Sequence, residues 1–277
     1  MNLTDDPPAP PSPRPTNDNR PPAGEMRLGD DLVMGIRFFS RLPTGAAPHR
    51  RPNLSRIALA LPFTSLVIGL GPALLLLGLE WLNVPHLFAA ALAVAAMIVV
   101  CGAMAEDAIA DSVDGLFGGH DVEQRLAIMK DSRHGTYGVC AIAMLLLLRV
   151  TAIGSVGNPL EAAGTWLAAT VMARSGALRL TVALPAARVG GAAATAGQVT
   201  RQAFGIGAVF MVVLSFVLAG FAVSVLGLAV AYGLGALVVW GWVTLCRRLI
   251  GGQTGDLIGA LMALIEVAVL TAFMVFV

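Results

Sequence analysis

Long apolar stretches alternate along this chain with short polar segments, and the spacing sets the fold. A bilayer core of ~30 Å needs about 20 apolar residues per helix. The pattern predicts about seven such helices, at 57–79, 86–104, 138–156, 162–184, 204–222, 225–246 and 257–277. The fifth and sixth come from one long apolar run, split near Gly220–Ser224. Residues 28–42 (LGDDLVMGIRFFSRL) are too short and too charged to span, and predict an amphipathic helix at the interface. The expected fold is all-α, a polytopic membrane bundle.

Composition agrees. The chain has 277 residues, 57% hydrophobic and 13% charged, against roughly 25% charged in soluble domains. The net charge of +1 gives no reason to expect nucleic acid. Cys101, Cys140 and Cys246 all lie in apolar stretches without disulfide or zinc spacing, and read as small hydrophobes. Eight of the sixteen prolines fall in the first 22 residues, with no apolar run among them. Residues 1–26 therefore predict a disordered cytoplasmic tail and not a signal peptide. Residues 27–277 form the membrane domain.

Basic residues orient the bundle. Arg50, Arg51, Arg56, Arg125, Lys130, Arg133, Arg188, Arg201, Arg247 and Arg248 fall before the first span and after the second, fourth and sixth. The other loops carry no Lys or Arg. The alternation predicts a cytoplasmic N-terminus and an outside C-terminus. It also puts every motif-like loop on the cytoplasmic face: RLP at 41–43, the acidic segment, the arginines near 174–188, and GGQTGD at 251–256. That clustering suggests one cytoplasm-facing site, whereas a transporter places its functional groups near mid-bilayer.

The polar chemistry concentrates in EDAIADSVDGLFGGHDVEQRLAIMKDSRHGTYG, residues 106–138. Asp107, Asp111 and Asp114 are spaced i, i+4, i+7 and fall within an arc of roughly 60° on a helix. Three carboxylates on one stripe repel unless a cation neutralises them, and Mg²⁺ is commonly held by one or two carboxylates, waters and substrate phosphates. The alternative is a solvated acidic helix end. Gly115, Gly118 and Gly119 either let backbone approach a ligand or simply end the helix. Lys130 and Arg133 either neutralise phosphate or anchor the cytoplasmic face.

Three further features are less specific. In GGQTGD, Gly251, Gly252 and Gly255 permit an anion-binding nest, and Asp256 is either a metal ligand or the cap of the last helix. Arg149, Arg174, Arg179 and Glu266 lie inside apolar stretches, Glu266 about 15 Å into the last span. Such groups pair with one another or serve a substrate. His49, His86, His120 and His134 show no ligand spacing. Together the pieces suggest polyanionic substrate chemistry.

The acidic segment with its MKDSRHGTYG ending resembles the cobalamin synthase family, the adenosylcobinamide-GDP ribazoletransferases. The resemblance covers most of residues 28–277 and includes FFSRLPT at 38–44, AR at 173–174, LPAAR at 184–188 and GGQTGD followed by GA at 259–260. It implies transfer from adenosylcobinamide-GDP to α-ribazole or its 5′-phosphate, with release of GMP, at the bacterial inner membrane and with Mg²⁺. By this resemblance Asp107, Asp111, Asp114 and Asp256 hold the metal. Asp111, Lys130, Asp131 and Arg133 are catalytic. Glu106, Ser132, Arg174, Gly252, Thr254 and Gly255 bind substrate. Partners are the two substrates and membrane lipid, with a homo-oligomer or a cobalamin-assembly complex also compatible.

Two positions depart from the family pattern H-x-D-G-x-A-D-x-x-D-G: Ala105 stands for histidine and Ala108 for glycine. The second adds a methyl expected to lie close to the diphosphate. A phosphatidyltransferase of CDP-alcohols is the alternative enzyme, but its D-G-x-x-A-R is not met, because Asp111 stands where arginine is needed. An ion-coupled transporter is the alternative outside enzymology.

Overall fold

The computed structural model of the chain describes residues 28–45, 52–188 and 197–277. The proline-rich tail, His49, Arg50 and Arg51 lie outside the described residues. The described elements are α1 (Leu28–Phe39), α2 (Leu54–Trp81), α3 (His86–Cys101), α4 (Met104–Gly118), α5 (Val122–Ile128), α6 (Thr136–Gly154), α7 (Pro159–Ala177), α8 (Arg179–Ala183), α9 (Arg201–Ala219), α10 (Val225–Leu249) and α11 (Gly255–Phe276).

Local chemistry explains where the helices begin. Asn53, Asp121, Asn158, Thr200, Ser224 and Thr254 each accept a first-turn backbone N–H through the side chain. Such caps satisfy donors that would otherwise have no partner. α1 is amphipathic as expected, with Asp31, Gly35 and Phe39 buried. Arg56 on α2 grips Asp31 with two parallel bonds of 2.7 and 2.9 Å, so part of the basic signal counted for orientation fastens α1 to α2.

α7 is the centre of the bundle. From Ala162 to Ala177 every residue except Gly176 is buried. Its neighbours are α2, α9 and α11. Its sequence is rich in Ala, Gly and Thr, which lets helix backbones approach closely where lipid supplies no hydrophobic drive. Around it, the outer helices turn apolar side chains outward, such as Val209, Val217, Leu237 and Trp240. The molecule is a multi-pass helical membrane protein.

Two expected spans differ in the structure. The second ends at Cys101, where Gly102 and Ala103 both adopt left-handed backbone (φ 65° and 56°). Their combined effect turns α4 by 84° from α3. A side chain at Gly102 would strike Arg41, and Arg41 N–H donates to Val100 O at 2.7 Å, so the RLP segment lies across the bend. The fourth expected span stops at Ala177, followed by the short α8. On length and composition five helices can cross a membrane, α2, α6, α9, α10 and α11, and α3 qualifies only together with α4. α7 is too polar to qualify by itself, because its solvent is the other helices.

Candidate active site

α4 leaves the bend and runs out toward the ends of α6 and α11. Along it, successive carboxylates meet different surroundings. Asp107 is open to solvent, its side chain 67% exposed, while Asp111 keeps only 15%. His134, just before α6, swings over both: Nε2 lies 3.7 Å from Asp107 Oδ1 and Nδ1 3.5 Å from Asp111 Oδ1. One ligand atom from each of the three falls within 4.8 Å of the others. Burial, and then the charges of Asp107 and Asp256, push the Asp111 carboxyl up to about 6, with His134 acting the other way. Anionic repulsion at this point is what a cation relieves.

Asp114 does something else. Its Oδ2 accepts the Gly135 N–H at 2.7 Å and its Oδ1 the Gly138 N–H at 2.9 Å. These are the N-cap and third residue of α6, so Asp114 caps α6 from another helix. A side chain at Gly138 would collide with Asp114 Oδ2, so glycine is needed for this approach. The stripe expected to present three ligands thus presents Asp107 and Asp111 outward, while Asp114 ties the DSRHGTYG segment down.

The other expected residues separate into groups. Lys130, Ser132 and Arg133 are exposed. Arg133 holds Asp131 through Nε (3.1 Å) and Nη2 (2.7 Å), which lowers the Asp131 carboxyl to about 2. In GGQTGD the helix cap is Thr254, which also donates to Asp256 Oδ2 at 3.3 Å. Asp256 is therefore not needed as the cap. Arg188 lies close enough to interact with it. Within this loop Gln253 N–H donates to Pro185 O and Ala187 N–H to Gln253 O, each at 2.8 Å. Gly252 has no room for a side chain against Pro185 O and Ala187, and Gly255 opens α11. Gly115 and Gly119 admit Arg125 and Met129 of the α5 region, so their space is filled by protein.

Glu106 and Arg174 point the opposite way, into the bundle. Arg149 bridges Glu106 and Glu266, the latter at 2.7 Å, and the Trp166 indole N–H donates to the other Glu266 oxygen at 3.1 Å. All four side chains are buried. Arg174 Nη2 reaches Cys101 Sγ at 3.3 Å. Its Nε and Nη1 have no partner among the described residues. A cavity of about 20 Å³ adjoins Ala105, Glu106, Arg149, Arg174 and Glu266, room on the order of a single water.

Sequence reasoning missed His134 and gave Arg188 no role in the site. His134 sits 23 positions after Asp111, so no helical spacing relates them. The neighbouring HGTYG, with its two glycines, was the available signal that this segment folds back on α4.

A profile of the family described as cobalamin-5-phosphate synthase matches residues 31–274. The chain belongs to the cobalamin-5-phosphate synthase family. A relative from Azorhizobium caulinodans, named adenosylcobinamide-GDP ribazoletransferase, is 39% identical over 90% of this chain and 97% of its own. Relatives of the same name from a Sinorhizobium species (40% identical; 88% and 95% covered) and Xanthobacter autotrophicus (39%; 90% and 97%) extend the likeness. No solved structure matches.

Within this family the two departures acquire places. Ala108 is buried on the side of α4 that faces α11, and a side chain added at Gly259 would lie 2.5 Å from its Cβ. The extra methyl packs at the α4–α11 contact. Ala105 is buried beside the cavity next to Arg174, on the interior side of α4.

Proposed function

We propose that this chain is a Mg²⁺-dependent adenosylcobinamide-GDP ribazoletransferase of a bacterial inner membrane. A hydroxyl of α-ribazole or its 5′-phosphate attacks the phosphorus bonded to the cobinamide side. A P–O bond forms to that oxygen, the P–O bond to GMP breaks, and the hydroxyl proton passes to a base. The observation that carries the reading is the Asp107–Asp111–His134 cluster, next to Asp256, on one face of a family member.

The donor set fits Mg²⁺. Asp107 and Asp111 offer hard oxygens, and the exposure of Asp107 leaves space for water and phosphate oxygens. Asp256 supplies a further carboxylate in range of Asp111. Imidazole suits softer metals better, so we assign His134 to the hydroxyl proton. When bound, the ion supplies charge neutralisation at the diphosphate. Lys130, Arg133 and Arg188 provide the cations that meet the remaining phosphate charge. Asp131, held near 2 by Arg133, is a poor proton acceptor and orients Arg133 instead.

Purified protein in detergent with Mg²⁺, adenosylcobinamide-GDP and α-ribazole phosphate should release GMP. Release no greater than in a no-enzyme control would sink the reading. Seven crossings, an N-terminus in the cytoplasm and a C-terminus outside complete the proposal. A reporter fused after Val277 should read extracytoplasmic. The Glu106–Arg149–Glu266 group speaks against an ion path, because its acids are already paired.

A further inference from the structure

A cavity of about 620 Å³ is lined by no residue of α4. It opens sideways between α9 and α10, backed by α7, α8 and α11. On α10 the lining residues Tyr232, Ala236, Trp240 and Arg247 recur at helical spacing, forming one continuous stripe. From Tyr232 to Arg247 the stripe runs roughly 22 Å at 1.5 Å per residue. At one end the groove is closed, where Ser215 of α9 and the Tyr232 hydroxyl share a 2.5 Å bond. At the other end sit Arg179 and Arg247.

Both arginines are exposed, and no acidic residue lines the groove. Neither makes an ion pair among the described residues. Arg247 lies only a few residues before α11 begins, so this end shares the face that carries Asp256. A basic end on that face followed by an apolar channel matches one leaflet: half of a ~30 Å core plus the headgroup level is about 20 Å. Basic side chains at that level each attract anionic lipid by about 1 kcal/mol. Helix anchoring alone would account for the arginines, but not for their converging on the mouth of an apolar groove.

We propose that this groove is a binding site for an anionic phospholipid, its phosphate between Arg179 and Arg247 and an acyl chain along the α10 stripe toward Tyr232. The proposal needs the membrane fold and is independent of the reaction assigned to α4.

Native mass spectrometry of the full chain, titrated with phosphatidylglycerol or phosphatidylcholine of identical tails, tests it. Phosphatidylglycerol should be retained at about thirtyfold lower concentration, the preference expected of two such arginines. Arg179→Gln with Arg247→Gln should erase the preference. Ala236→Trp should reduce retention of both lipids by filling the channel. As a measurement on the unmodified chain, lipid carrying a spin label on its tail should quench Trp240 fluorescence, and Trp240→Phe should remove that quenching. Equal retention of the two lipids by the unmodified chain would overturn the proposal. So would displacement of the lipid by millimolar inorganic phosphate, which would make the site one for a free anion.

Discussion

Glu106 and Asp107 are adjacent on one helix and have opposite fates. Glu106 turns inward to Arg149, which it shares with Glu266, and all three are buried. Asp107 turns outward, joins Asp111 and His134, and makes no ion pair with Arg or Lys among the described residues. The inner group has its counter-charge built in, with Arg149 between the two acids and Arg174 beside the same water-sized space. In the outer group burial first, and then repulsion from the neighbouring carboxylates, raises the Asp111 carboxyl. In this molecule, the same acidic chemistry is structural where its counter-charge is built in and functional where the counter-charge must arrive from outside.

The widest separation between the two groups comes from removing the built-in charge. Arg149→Met leaves Glu106 and Glu266 buried without their cation, a loss of about 3–5 kcal/mol. The expected outcome is little or no monodisperse protein on size exclusion, whatever the Mg²⁺ concentration. Asp111→Asn is the opposite case. GMP release should fall on the order of 100-fold, while the metal-free protein melts at a slightly higher temperature because a repelled carboxylate is gone. A mutant that lost both activity and fold would erase the distinction drawn here.

Acidity gives a milder version of the same contrast. A carboxyl whose folded value is about 6, above the ordinary 3.8, favours the fold most when protonated. That contribution is present below about pH 4 and is lost as pH rises toward and past 6. Metal binding has the reverse sign, since the proton must leave. Mn²⁺ affinity, read by electron paramagnetic resonance, should hold above pH 6 and fall below it by up to about tenfold per unit. The smallest expected effect is at Ala108→Gly. Removing a methyl packed near Gly259 costs up to about 1 kcal/mol, lowers the melting temperature, and leaves GMP release within about twofold. A larger change in activity would mean that the methyl reaches the substrate after all.

Much of this was legible in the chain. Apolar run lengths marked the outer helices, because lipid-facing surfaces need sustained hydrophobicity. Helical spacing placed Asp107 and Asp111 together, and the charge pattern grouped GGQTGD with them. What escaped legibility depended on tertiary partners. Periodicity cannot say that Asp114 finds two amides of α6, or that His134 swings over the stripe. The left-handed turn at Ala103 was hidden because alanine usually continues a helix. α7 read as a lipid-crossing span, although its Thr, Ser and Arg positions are satisfied or enclosed by protein.

The direction of synthesis gives the Asp114 contact another meaning. The carboxylate that caps α6 is made before α6 itself, so the cap is waiting when that helix emerges. Arg149 has no such completeness. Glu106 precedes it by 43 positions, but Glu266 follows by 117. Until the final helix enters the bilayer, Arg149 is only half enclosed by acids. α11, translated well after Arg149, is thus the segment that closes the interior charge set, and a chain truncated before α11 would lack Glu266 together with Asp256.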